Sequence, residues 1–157
     1  MTIVGMKSPI GNIGGGNTID GPKFAVNQTE EIVNSNSLVN VTDMKFPVEA
    51  NKNYAFRIYH IGSSTTTADV KIKHIGPSGS TIDWNETTIA TTVKTANNTV
   101  SMPCNGTSTK NYMHVVGRIN VGANAGDFQV QYAQQTNEPA TDTKYMINAY
   151  IVYWELS

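Results

Sequence analysis

Three histidines, His60, His74 and His114, and two acids, Asp83 and Glu86, flanking Trp84 are the side chains of this sequence with the clearest claim to chemistry. Histidine titrates near neutral pH and ligates metals, so three of them would form a cluster or a dyad if the fold brought them together. They fall on three separate predicted strands, and His60 and His74 each close a strand beside turn residues, where a partly exposed histidine is ordinary. No His-Glu-x-x-His, Cys-x-x-Cys or calcium-loop spacing occurs. Two carboxylates meeting in a cleft support glycoside hydrolysis, and an adjacent tryptophan suits a sugar. The simpler reading makes Trp84 a core or rim aromatic between solvated acids. Gly76-Pro77-Ser78-Gly79-Ser80 has the outline of a nucleophile elbow. Its proline precedes the serine and no helix follows, so it reads as a strand-to-strand turn. Gly11-Asn12-Ile13-Gly14-Gly15-Gly16 lacks the strand, the helix and the Gly-Lys-Ser/Thr of a phosphate loop. Cys104, the one cysteine, excludes an internal disulfide and reads as a small buried hydrophobe or an exposed bystander. No catalytic, cofactor-binding or metal-ligating residue is assigned, and no enzymatic activity is expected.

The elements that would position these groups are strands. From Gln28 onward apolar and polar residues alternate with period two between clusters of Gly, Pro, Asn, Ser and Thr. This predicts strands at about 28–33, 38–47, 53–61, 68–75, 80–85, 98–102, 112–121, 127–134 and 144–155. Phe46 to Tyr59, an apolar run, a polar turn and an alternating aromatic strand, reads as two paired strands. Eight or nine short strands indicate an all-β antiparallel sandwich or barrel, of which the jelly roll is the commonest eight-stranded form. Residues 28–157 are expected to form that sandwich. Residues 1–27, with six glycines and two prolines, show no periodic apolar face and read as an extended arm. Its apolar residues Met1, Ile3, Val4, Met6, Ile10, Ile13 and Phe24 are the candidate contacts to a neighbouring subunit or a larger lattice.

The predicted closing strand is apolar on both faces. Met146, Tyr150, Val152, Trp154 and Leu156 share one face, and Tyr145, Ile147, Ala149, Ile151 and Tyr153 share the other. A sandwich covers one face of each sheet, so the second face calls for another layer, either a symmetric partner or the N-terminal arm. Tyr145, Ile147, Ile151 and Tyr153 are the candidate subunit interface.

Three motifs carry a resemblance: the Pro47-Val48-x-Ala50-Asn51-x-x-Tyr54-x-Phe56 strand pair, the strand ending in Gly76-Pro77-x-Gly79, and Val121-Gly122-x-x-Ala125-Gly126 inside an expected hairpin. With the closing apolar strand they resemble small β-sandwich proteins and domains of tailed-bacteriophage virions, over about residues 28–156. The resemblance implies a structural role in the particle: a jelly-roll head decoration (cement) protein, trimeric, bound to the major capsid protein on the outer surface of the head. The alternative is a tail-fibre or tail-tip module that recognises host glycans through Ser63 to Thr67 and Thr87 to Asn97.

Composition narrows the remaining classes. At 157 residues one domain is expected. A net charge of −1 with 15% charged residues offers no basic field for nucleic acid or an anionic membrane. The first ten residues lack the pattern of a signal peptide, and no apolar run approaches the ~20 residues of a membrane helix, so a soluble product made in the host cytoplasm is expected.

Overall fold

The computed structural model describes residues 21–86, 94–95 and 98–156; within them the chain forms twelve strands and no helix. They are β1 (Lys23–Val26), β2 (Glu31–Val33), β3 (Val39–Val48), β4 (Asn53–Ser64), β5 (Val70–Ile75), β6 (Thr81–Glu86), β7 (Lys94–Thr95), β8 (Thr99–Met102), β9 (Gly106–Asn120), β10 (Gly126–Gln134), β11 (Thr143–Tyr145) and β12 (Tyr150–Leu156). One sheet runs β1-β12-β4-β9-β6-β7, with β11 joined to β4 and β2 joined to β11; the other runs β3-β10-β5-β8. The strand pairs are antiparallel and the two sheets form a sandwich. Counting β3 to β10 as one to eight, the smaller sheet reads 1-8-3-6 and the larger contains 2-7-4-5. The added strands β1, β2, β11 and β12 all attach on the β4 side of the larger sheet.

Phe46 to Tyr59 does not form two paired strands. β3 pairs with β10, setting Phe46 opposite Phe128, while β4 pairs with β9 and β12 in the other sheet. Residues 49–52 therefore cross between sheets, helped by Asn51 in the left-handed region at φ 61°. Side-by-side pairing would put both apolar sets in one layer. Facing each other, they bury one another, and the Phe46 and Tyr54 rings lie 6.1 Å apart across the interior. The expected hairpin of 116–134 is corrected the same way, since β9 and β10 lie in opposite sheets. The turn at 76–80 joins β5 of one sheet to β6 of the other.

These three crossings pack together at one end of the sandwich. The Asn51 amide donates to Gly122 O at 2.9 Å, the Val121 amide to Lys52 O at 2.8 Å, and Asn124 Nδ2 to Ser78 O at 3.1 Å. A Cβ on Gly122 would stand 2.6 Å from Gly79 O, so only glycine admits this approach.

The expected closing strand 144–155 is interrupted between β11 and β12. Asn148 takes φ 67°, and buried Asn27 clamps the break: its amide donates to Ala149 O at 2.8 Å and its Nδ2 to Met146 O at 2.9 Å. Between the sheets, Phe46 stacks on Phe128 at 4.8 Å and on Tyr153 at 4.0 Å, and Phe56 meets Phe128 at 4.6 Å. Of the N-terminal arm, residues 23–26 add a strand to the edge of β12, and residues 1–20 lie outside the described residues.

Candidate functional site

Two of the three histidines meet in the core. His60 on β4 and His74 on β5 face each other from opposite sheets, both fully buried, with their Nε2 atoms 3.3 Å apart. His60 Nδ1 lies 2.7 Å from the hydroxyl of Tyr145, itself fully buried on β11. His74 stands edge-on to Trp84 at 4.6 Å and stacks on Phe128 at 5.8 Å. Burial holds the charged forms off: His74 is lowered to about 3, and His60 well below its ordinary value, first by burial and then by the His74 and His114 charges. Burial also pushes the Tyr145 hydroxyl up, with the Glu31 carboxylate adding to it. The three groups are thus neutral at pH 7 and form one hydrogen-bonded chain spanning the sheets. The expectation of partly exposed histidines at strand ends is corrected for His60 and His74, because β4 runs on to Ser64 and is covered there on both sides. Strand parity, which puts His60 on the inner face with Phe56 and Ile58, was the available signal.

Asp83, Trp84 and Glu86 do not converge on a sugar. Trp84 is 1% exposed and points into the core, with its Nε1 donating to Thr95 O at 3.3 Å. Asp83 projects from the opposite face of β6 and accepts from Arg118 Nη2 at 3.0 Å and Nε at 3.1 Å, while Glu86 pairs with Lys94. Alternation along the strand separates the acids, and each has a basic partner. Cys104 is buried and its amide donates to Asp69 Oδ1 at 2.8 Å. Burial and the Asp69 carboxylate raise the thiol to about 11, so it stays protonated. Ser80 Oγ donates to Pro77 O at 2.6 Å, closing the 76–80 turn. Among the described residues no group of three His, Cys, Asp or Glu side chains is placed to hold a metal ion.

The surface that stands out is the outer face of the larger sheet. Pairing sets Val26, Tyr150, Tyr59 and His114 in one row across β1, β12, β4 and β9, and Phe24, Val152, Arg57 and Val116 in the next. Facing cross-strand residues share a side, so both rows point outward. Phe24 (65% exposed), Tyr112 (54%), Tyr150, Leu156 and Val26 belong to this face, five of the eight large apolar side chains exposed among the described residues. Tyr59 and Tyr150 stack at 5.7 Å with 12° between planes, and Tyr112 meets Tyr59 at 5.8 Å. A groove of about 620 Å³ lies between Gly21, Pro22, Arg57, Tyr59, His114, Tyr150, Val152 and Trp154. A second depression of about 500 Å³, between Ala55, Val116, Arg118 and Leu156, is on the same face. Arg57, exposed between Val152 and Val116, has no ion pair among the described residues. Contiguous apolar surface of this kind marks an interaction site.

This placement corrects the candidate interface. Tyr145 and Ile151 are fully buried within the one chain, and Tyr153 stacks on Phe46 between the sheets; Ile147 is exposed in the break after β11. The closing strand is apolar on both sides as expected, but the side facing out is that of Tyr150, Val152, Trp154 and Leu156. Of the candidate arm contacts, Phe24 lies on the outer face, and Met1, Ile3, Val4, Met6, Ile10 and Ile13 lie outside the described residues. Ser63 is buried, so the proposed glycan loop at 63–67 begins inside the fold; most of 87–97 lies outside the described residues.

No family model matches this chain, and no curated protein matches it. Among solved structures, a chain from the structure of infectious bursal disease virus Gx strain aligns with 99% of this chain and 45% of its own length, at 10% identity and a TM-score of 0.26. This chain thus spans less than half of that one, and at that score the likeness carries no argument about fold or function.

Proposed function

We propose that this chain is a virion structural protein of a tailed bacteriophage, a head decoration protein. Its sandwich would sit on the outside of the head shell as a homotrimer, against the major capsid protein, with the N-terminal arm reaching the shell or adjacent copies. The observation that carries the reading is the outer face of the larger sheet, a broad apolar surface on a sandwich whose His60, His74 and Cys104 are buried and whose Asp83 and Glu86 are ion-paired. Burial of such a face against shell and sister copies adds stability where capsid subunits meet. The order 1-8-3-6 over 2-7-4-5 supports a jelly roll, the double-sheet form built from two Greek keys.

The test is sedimentation with head shells of the virus that encodes the chain. The full chain is expected to pellet with the shells, and a chain starting at Gly21, which keeps β1, to pellet much less. Full chain left entirely in the supernatant would overturn the reading.

One observation favours a second reading, a tail-tip module that binds host glycans. The stacked Tyr59 and Tyr150 rings beside Arg57, which has no ion pair among the described residues, form a ledge of the kind sugars stack on. Binding to a glycan array that Tyr150→Ala abolishes would favour it over decoration.

A further inference from the structure

We propose that the outer-face groove is a binding site for the chain's own residues 1–20, which cross the larger sheet and cover its apolar face while the chain is free. The inference concerns the chain before assembly and does not depend on the particle it joins.

Where the chain enters is the first argument. Gly21 and Pro22 themselves line the groove, so the segment starts at its rim rather than at a distant corner. Length is the second. Crossing from β12 over β4 to β9 spans two strand spacings, roughly 10 Å, and twenty extended residues reach up to about 70 Å. Composition is the third: Met1, Ile3, Val4, Met6, Ile10 and Ile13 can fill the space between Tyr59, Tyr150, Val152 and Trp154, and the segment carries only two charges, Lys7 and Asp20. Gly11 and Gly14 to Gly16 let a backbone approach flat aromatic rings closely. Tethered at the rim, the segment is present at an effective concentration in the millimolar range, well above that of any second copy in dilute solution. Covering the face in this way would keep the free chain from associating through it before it docks.

Trp154 is the reporter. The chain has two tryptophans, and Trp84 is sealed in the core, so fluorescence quenching by acrylamide reads the groove, with Trp154→Phe supplying the Trp84 background. In the full chain Trp154 is expected to be quenched severalfold less than in a chain starting at Gly21, with no dependence on protein concentration. The full-length variant Ile10→Ser with Ile13→Ser, which alters nothing in the described sandwich, should move quenching toward the truncated value. Equal quenching in the full and truncated chains would overturn the proposal. So would shielding that disappears on dilution, because the face would then be covered by a second copy; that result leaves the decoration reading standing.

Discussion

Between pH 7 and pH 4.5 the fold is expected to lose about 2.5 kcal/mol of stability to His74 alone, with His60 adding to the loss in the same direction. Both are neutral and fully buried in the native state, His74 with its value lowered to about 3 and His60 lowered well below the ordinary one. In the unfolded chain each titrates near 6.5. Below that pH the unfolded state binds a proton that the native state refuses, so stability falls as pH falls. The loss is roughly 1.4 kcal/mol per pH unit for each histidine until the native value is reached. Urea unfolding followed at several pH values measures it directly. His74→Phe, placed among Phe56, Phe128 and Trp84, should lessen the slope without abolishing it, since the proton of His60 remains to be taken up. A midpoint unchanged between pH 7 and 5 would contradict the buried neutral pair.

Trp84→Ala is expected to cost about 3–5 kcal/mol, the usual range for removing a large buried aromatic. The ring sits edge-on to His74, lies under Lys94 at 5.3 Å, and donates to Thr95 O, so the truncation leaves a cavity and removes one of the two hydrogen bonds that this carbonyl accepts. Asp83→Asn removes only a surface pair with Arg118 and should cost at most about 1 kcal/mol. A glycan site built on this triplet would instead lose binding in both variants with stability held. Thermal melts of the two variants side by side decide between them.

Period-two alternation made most of the strands legible: Val39–Val48 and the first half of β4 each have one face in the core and the other more exposed, while β10 is buried on both faces over most of its length. What alternation does not carry is the partner of a strand. The segments around Asn51, Gly79 and Gly122 look like hairpin turns locally, yet they are crossings held by contacts among themselves, which sequence order does not show. The same limit hid the break at Asn148, set by Asn27 from 121 residues away, and the meeting of His60, His74 and Tyr145 from three strands. For the candidate site, the two-sided apolar character of Tyr150 to Leu156 was readable. Its outward side was not, because that choice rests on Tyr153 stacking against Phe46 in the other sheet.

We propose that the outer face of the larger sheet is an assembly surface. Its most direct test is shell sedimentation of Tyr150→Asp with Val152→Asp, two changes that place charge on that face and leave the core untouched. The expected result is a folded protein, with native near-ultraviolet circular dichroism, that stays in the supernatant while the unsubstituted chain pellets. A folded variant that pellets with the shells as fully as the unsubstituted chain would contradict it.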